Sequence, residues 1–304
     1  MRIIIPGGSG LIGRHLTEHL IEKGYEVVVL SRSPKSVVGL PKGATAAAWD
    51  GKTTEGWGLL VDGAKAIINL AGAGIGDKRW SAERKDLILD SRLESTKAIV
   101  EAIAEVEVKP EVLLQGSAIG FYGSRGDIEL TEDSSPGEDF LADVTKSWES
   151  AAKPAADHTR LVYLRTGVVL TTKGGAFPKI MLPFNLFAGG PYGDGGMWFP
   201  WIHIDDQIRA MIWLMENDSA EGPYNLTSPG ILRNRTFARV LGKVLGRPSF
   251  IPTPAFALKA ALGEMSILLL GSQRANSQKL VDAGFEFKFD QPLRAVKDVV
   301  FSKK

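Results

Sequence analysis

Apolar positions along the chain follow two periods that take turns. Arg2-Ile3-Ile4-Ile5-Pro6 is a short apolar run with the length of a buried strand. Leu11, Ile12, Leu16, Leu20 and Ile21 then return at roughly helical spacing until Gly24, and Glu26-Val27-Val28-Val29-Leu30 resumes as a strand. Further strands are predicted over 44–49, 66–70, 111–115 and 160–164, with a short seventh over 201–204. Helices are predicted over 81–106, where mixed charges indicate one solvated face, and over 140–156, broken late by Pro154. This sustained alternation predicts an α/β fold: a Rossmann-like, doubly wound parallel sheet with right-handed crossovers and ligands beyond the C-terminal strand ends.

After about residue 170 the rhythm changes. Gly174-Gly175, Gly189-Gly190 and the glycines of 193–196 surround an apolar segment, 178–187, and the chain beyond Gly222 reads as mainly helical with prolines at 248, 252 and 254. The pattern predicts a second, smaller, mainly helical C-terminal lobe assembled from separate pieces. Residues 1–170 and 198–226 would form the nucleotide-binding domain, and 171–197 with 227–304 the substrate-side lobe. The most apolar later stretch, 255–270, contains Lys259, Gly263 and Glu264, falls short of a membrane span and reads as a buried or interface helix.

Between the first strand and the first helix stands Gly7-Gly8-Ser9-Gly10-Leu11-Ile12-Gly13, a G-x-x-G-x-x-G spacing. A dinucleotide pyrophosphate needs backbone free of Cβ atoms to lie against and a helix N-terminus whose unpaired N–H groups favour negative charge. Strand before, helix after and a second strand about 20 residues on are the context that separates such a loop from an ordinary tight turn. The second strand ends in Leu30-Ser31-Arg32-Ser33, without the acid that accepts ribose hydroxyls in NAD-preferring sites. Arg32, the hydroxyls of Ser31 and Ser33, and Arg14 can instead meet a 2′-phosphate, so NADP(H) is expected; the alternative is a merely solvated Arg32.

Composition narrows the partners. The 304 residues suffice for a nucleotide-binding domain and an appended lobe, and 44% hydrophobic with 23% charged residues is ordinary for a globular protein. A net charge of +1 offers no electrostatic case for nucleic acid or an anionic membrane, so a small-molecule substrate is expected. The absence of Cys excludes disulfides, thiol nucleophiles and Cys metal sites, and weakly favours the cytoplasm. The histidines, at 15, 19, 158 and 203, make no convincing metal set, and no metal is expected. The apolar opening is too short for a signal peptide and runs into the glycine loop, so no export is expected.

Several segments together resemble the extended branch of the short-chain dehydrogenase/reductase superfamily, in its atypical epimerase-like members with an extra C-terminal domain of unknown function. They are Gly7 to Gly13, Asn69-Leu70-Ala71-Gly72, Arg79-Trp80, Ser91-Arg92, Ser117 to Gly123, Trp148-Glu149, Phe199 to Asp206 and Leu245 to Pro248. The resemblance covers nearly the whole chain. It implies an NADP(H) site lined by Gly7, Ser9, Gly10, Leu11, Ile12, Gly13, Ser31 and Arg32, with Leu70, Ala71 and Gly72 at the fourth strand's end. It also implies an oxidoreductase or epimerase acting on a small polar carbonyl or sugar nucleotide, and it admits a homodimer. Some relatives carry a cell-division-inhibitor label, and a catalytically weak protein with a structural, sensing or partner-binding role is the alternative.

In active relatives a Ser or Thr ending the fifth strand orients the substrate oxygen, and a Tyr-x-x-x-Lys pair on the next helix supplies the acid/base. Ser117 stands at that strand end, five residues before Tyr122. The tyrosines are 25, 122, 163, 192 and 224, and none has Lys four residues on. Ser117, Tyr122 and Lys146 are therefore the catalytic candidates, with Lys146 either facing the ribose or solvated; aligning the helix on Glu149 instead puts Thr145 and Leu141 at the Lys and Tyr positions. Arg165 either serves the nicotinamide end or pairs with a carboxylate. Glu132 and Asp133 are weaker acid/base candidates, a Ser117–His203–Asp205 triad weaker still without a nucleophile elbow. Trp198, Phe199 and Trp201 either stack on substrate or pack between lobes. The substrate pocket is expected between the lobes, formed by 117–122, Arg165, the 174–196 loops and 198–203.

Overall fold

A computed structural model describes residues 1–37 and 39–302. Seven parallel strands form one sheet: β1 (Arg2–Pro6), β2 (Glu26–Ser31), β3 (Thr45–Ala48), β4 (Ala66–Asn69), β5 (Val112–Ala118), β6 (Arg160–Thr166) and β7 (Gly222–Leu226). Their spatial order is β7-β6-β5-β4-β1-β2-β3. Because successive side chains alternate faces, Ile3 and Ile5 meet α1 (Leu11–Glu22) and α5 (Ile204–Glu216), whereas Ile4 meets α2 (Ala82–Glu105) and the Ala152 end of α3 (Phe140–Ala152). With both faces covered, every position of such a strand must be apolar, which is why β1 reads as an unbroken run. Strand order reverses between β1 and β4, and the crevice beyond their C-terminal ends is where a ligand of this architecture binds.

One strand differs from expectation. Residues 201–203 pair in parallel with Val168–Leu170, outside the large sheet, and the seventh sheet strand is Gly222–Leu226. That strand opens on Gly-Pro, and a proline fits an edge strand whose outward N–H has no partner to lose. The 140–156 helix ends at Ala152 and passes into a 3₁₀ turn, Lys153–Asp157, that contains Pro154. Nor is 255–270 one buried helix: α7 (Ala255–Leu262) stops at Gly263, whose φ of +59° reverses the chain, no α7 residue is buried, and Phe256 is 76% exposed.

Beyond the sheet, α4 (Phe177–Asn185), α6 (Asn234–Leu245) and α8 (Pro292–Phe301) enclose a second core around Phe177, Phe237, Leu241, Phe289 and Val296. The aromatic cluster of 198–201 serves packing. Trp201 is sealed in this core, Phe199 lies 4.2 Å from Phe237 between ring centres, and Trp198 is covered by the guanidiniums of Arg233 and Arg274. Among the described residues no helix is long and apolar enough to cross a membrane.

Candidate active site

The glycine loop occupies the crevice between β1 and β4. Gly7 sits at φ +78°, and a Cβ there would come within 2.6 Å of the Leu70 carbonyl; one at Gly13 would come within 2.5 Å of Gly8 Cα. The first turn of α1 therefore presses against the loop with no room for a side chain. Its N-cap, Gly10, offers no capping side chain, and no acid stands in the first turn. The N–H groups at this 12-residue helix's start are left for an anion, the requirement of a pyrophosphate. Ser9 contributes its carbonyl, which accepts from Arg14 Nε at 2.7 Å. Leu11 buttresses the loop's far side, where Gly174 and Gly175 approach its side chain.

At the end of β2, Arg32 is exposed and forms no ion pair among the described residues, and the Ser31 hydroxyl accepts from the Ser33 backbone N–H at 3.2 Å. Along α1 a cavity of about 500 Å³ is lined by Leu11, Arg14, His15, Glu18, Gly39, Pro41 and Lys173. Arg14 and Lys173 bring two cations to it against the single carboxylate of Glu18. Lys173 was not legible in the sequence, since a lone lysine before Gly174-Gly175 belongs to no pattern. Arg32→Glu should abolish a preference for NADPH over NADH, a change of about ten- to a hundredfold in the ratio of dissociation constants. Titration of intrinsic fluorescence with each cofactor measures it, and an unchanged ratio would remove Arg32 from the site.

The opposite wall is Leu70-Ala71-Gly72, set by Asn69. This buried amide donates from Nδ2 to Thr96 Oγ1 and Gln115 Oε1, both at 3.1 Å, and its Oδ1 accepts from the Ala71 N–H at 3.1 Å. Trp148 Nε1 donates to the same Thr96 hydroxyl. The turn leaving β4 is thus fixed by a side chain, and Leu70 N–H reaches back to the Pro6 carbonyl at 2.8 Å.

Three sequence candidates, Ser117, Tyr122 and Arg165, do come together, but they are spent on one another. Ser117 Oγ donates to Glu149 Oε1 at 2.6 Å, and Glu149 holds Arg165 in a bidentate pair, Nε to Oε1 and Nη2 to Oε2, both 2.9 Å. Arg165 Nη1 donates to Tyr122 Oη (3.0 Å) and to the Glu132 carbonyl (2.9 Å), while Tyr122 donates to Asn225 Oδ1 at 2.7 Å. Tyr122 is fully buried and burial pushes its hydroxyl up to about 12, so it is a structural hydrogen bonder and not a proton donor to substrate. Arg165 is likewise removed from the nicotinamide end: of its two readings, the carboxylate pair holds. Glu132 accepts from the Asn225 backbone N–H at 2.8 Å and burial raises its carboxyl above the usual range. With Tyr122, Arg165, Trp201 and His203 all buried, these members of the expected pocket wall do not line an opening.

Lys146 points to solvent, pairing with Asp143 at 3.1 Å with both side chains more than half exposed, so it does not face a ribose. The Tyr-x-x-x-Lys positions on the inward stripe of α3 are Leu141 and Thr145, in line with Glu149, and Thr145 Oγ1 bonds back to the Leu141 carbonyl at 2.8 Å.

Residues 3–227 match the NAD dependent epimerase/dehydratase family, and 253–299 match a domain of unknown function, DUF1731. The chain belongs to the NAD dependent epimerase/dehydratase family. Among its relatives, the epimerase family protein SDR39U1 of Bos taurus is 36% identical over 99% of this chain and 100% of the relative, and the protein YfhF of Bacillus subtilis is 36% identical over 100% and 99%. The crystal structure of human SDR39U1 (isoform 2) with NADPH matches at a TM-score of 0.90 and 33% identity, covering 98% of this chain and 99% of that one. A nucleoside-diphosphate sugar epimerase from Corynebacterium glutamicum matches at 0.77 and 33%, covering 97% of this chain and 57% of that one.

One further cluster in this family member resembles a metal set. His203, Asp205 and Asp298 place ligand atoms within 4.8 Å of one another. The backbone N–H of Asp205 donates to His203 Nδ1 at 3.0 Å, which leaves the ring proton on Nε2 and no lone pair there for a cation. Nε2 faces Asp298 Oδ2 at 3.2 Å, Lys288 Nζ stands 3.5 Å from Asp205, and the ring stacks on Phe289 at 3.8 Å. The cluster is a polar group around a neutral His203 that caps α5, and Ser117, committed to Glu149, forms no triad with it. Burial lowers the His203 pKa despite the acids around it. An unfolded chain then binds a proton near pH 6.5 that the folded one refuses, so stability is full above that value and falls as pH drops toward the folded pKa. The slope is at most about 1.4 kcal/mol per pH unit. Thermal melts between pH 7.5 and 5.5 should show a smaller acid loss in His203→Asn, which keeps a cap acceptor; an equal loss would clear His203.

Proposed function

We propose that the chain is an NADP(H)-dependent oxidoreductase of the epimerase type, acting on a small polar carbonyl or sugar-nucleotide substrate at the crevice beyond β1 and β4. The observation that carries the reading is the uncapped start of α1 behind a loop with no room for a Cβ at Gly7 or Gly13, together with a β2 end followed by Arg32 in place of an acid. NADPH bound to the relative of nearly identical fold supports the choice of cofactor. Bound there, the nicotinamide supplies or accepts hydride at its C4. The chain's own residues hold the phosphates on the N–H groups of α1, press the cofactor between Gly7–Gly13 and Leu70–Gly72, and meet the 2′-phosphate with Arg32 and Arg14.

A second reading has one specific observation in its favour. Ser117, Tyr122, Glu149 and Arg165 satisfy one another inside the protein, which suits a protein that keeps its cofactor for structure or sensing and turns it over slowly. Tight NADPH binding with NADPH consumed by at least one aldehyde, ketone or UDP-sugar in a panel supports the oxidoreductase. Tight binding with no consumption across the panel selects the second reading, and equal affinity for NADH overturns the cofactor assignment.

A further inference from the structure

The loop that leaves the cofactor wall, residues 73–76, is held by side chains at every carbonyl. Ala73 O accepts from Arg92 Nη1 (3.0 Å), Gly74 O from Arg84 Nη2, Ile75 O from Trp80 Nε1 (2.9 Å) and Gly76 O from Lys179 Nζ (2.8 Å). Three of these four donors are cations. Among the described residues the single carboxylate within ion-pair reach of them is Asp77, 3.5 Å from Arg84 and 67% exposed, where solvent screens it.

Arg92 is the more exceptional of the pair. Its guanidinium lies 4.9 Å over the Trp148 ring and against Gly72, where a Cβ would stand 3.0 Å from Cζ. Nη1 also bonds the Ile88 carbonyl at 2.8 Å, within the body of α2, where no helix C-terminus adds negative charge. Nε and Nη2 donate to no protein atom among the described residues, and no carboxylate pairs with it. Burial, and after it the neighbouring Arg84, push the group down to about 10. Arg84 in turn keeps Nε buried without a hydrogen-bond partner among the described residues.

Other enclosed arginines of this chain are answered. Arg165 has Glu149 in a bidentate pair, and Arg160 gathers the carbonyls of Leu214 and Met215 at the end of α5 together with that of Ala220. Two neighbouring guanidiniums whose single carboxylate among the described residues is the exposed Asp77 are costly unless something else supplies a counter-charge. Gly72 and Gly74 are exposed, so the place is open from the cleft side.

We infer that Arg84 and Arg92 form an oxyanion-receiving site on the lip of the cofactor crevice, and that the substrate carries a carboxylate or phosphate group that docks there. The fork of Arg92 offers Nε and Nη2 to one oxyanion, and the charge of Arg84 beside it adds to the attraction. The assignment of the anion to a substrate rests on the oxidoreductase reading above; the cofactor's own phosphates are the other source of the same chemistry.

Calorimetric titration of the NADPH-saturated protein with inorganic phosphate and with malonate, at constant ionic strength, tests it without requiring turnover. Saturable binding of at least one anion is expected, weakened about ten- to a hundredfold in Arg92→Gln and in Arg84→Gln and less in Arg92→Lys, while the NADPH dissociation constant stays within about twofold. Absence of saturable binding to the unmodified complex, or binding unaltered in both Gln variants, overturns the site. Loss of NADPH affinity in parallel, with phosphate competing against NADPH, overturns the substrate assignment and gives the arginines to the cofactor. Should Arg92→Gln fail to fold, Arg84→Gln and Arg92→Lys decide alone. A protein that binds the anion through these residues yet never consumes NADPH keeps the site and loses only the oxidoreductase reading.

Discussion

Glu149→Ala should lower the free energy of unfolding by about 3 to 5 kcal/mol, the cost of stranding a buried cation. Arg165 is 5% exposed at its side chain and Glu149 11%, so water cannot replace the missing carboxylate. Three donors lose their acceptor at once, Arg165 Nε, Arg165 Nη2 and the Ser117 hydroxyl. The loss reaches further, because Arg165 positions Tyr122, and Tyr122 with Asn225 joins the 119–122 turn to β7 and, through Asn225 Nδ2, to the carbonyl of Asn276. Glu149→Gln, which keeps an acceptor but no charge, should fall between the two. Urea unfolding at pH 7 followed by circular dichroism measures both, and a loss below about 1 kcal/mol for the Ala variant would mean that Arg165 finds water or another partner.

The second large effect concerns rate. With Tyr122 sealed, Lys146 solvated and Leu141 and Thr145 on the inward stripe of α3, no tyrosine–lysine pair can deliver a proton to a substrate oxygen. Hydride transfer to a carbonyl without a paired proton donor leaves an alkoxide, and loss of general acid/base catalysis costs about 10² to 10⁴ in rate. NADPH oxidation with simple ketones, followed by absorbance at saturating cofactor, should therefore run that far below a typical turnover of about 10 s⁻¹. Ser117→Ala should leave this residual rate unchanged within about twofold, because its hydroxyl is bound to Glu149. Turnover near 10 s⁻¹ would show that another group donates, and a pH profile would then give its pKa. Ala142, on the buried face of α3 and fully enclosed, has no room for a tyrosine, so restoring the pair in register with Lys146 would fail on packing.

What could be read from the chain and what could not divide along a physical line. The β1–loop–α1–β2 unit was legible to within a residue or so, as were the positions of β3, β4, α2 and β6's start, because period-2 and helical apolar patterns report local geometry and burial on one face or two. The glycine loop was legible for the same reason: strand, Cβ-free turn and helix N-terminus are contiguous. The edge strand β7 was missed because a sequence beginning Gly-Pro is a poor strand by propensity, and its place beside β6 is decided by pairing across the sheet. The 201–203 run reads as an equally good strand and pairs elsewhere.

By itself, then, the sequence determined the α/β alternation, the dinucleotide loop and the absence of an acid after β2, all properties of neighbouring residues. Only the tertiary structure decided what the polar candidates do. Ser117 and Arg165 are partners in register across β5 and β6, and α3 lays Glu149 over both, so that the three consume one another's charge and hydrogen bonds. Arg92 was marked only by the family resemblance and Arg84 not at all; that Arg92 stands against Gly72 without a carboxylate among the described residues, and Arg84 with only the exposed Asp77, depends on which chain segments pack around them. A side chain's partner is set by distances through space, and those follow from sheet register and helix packing that no local pattern encodes.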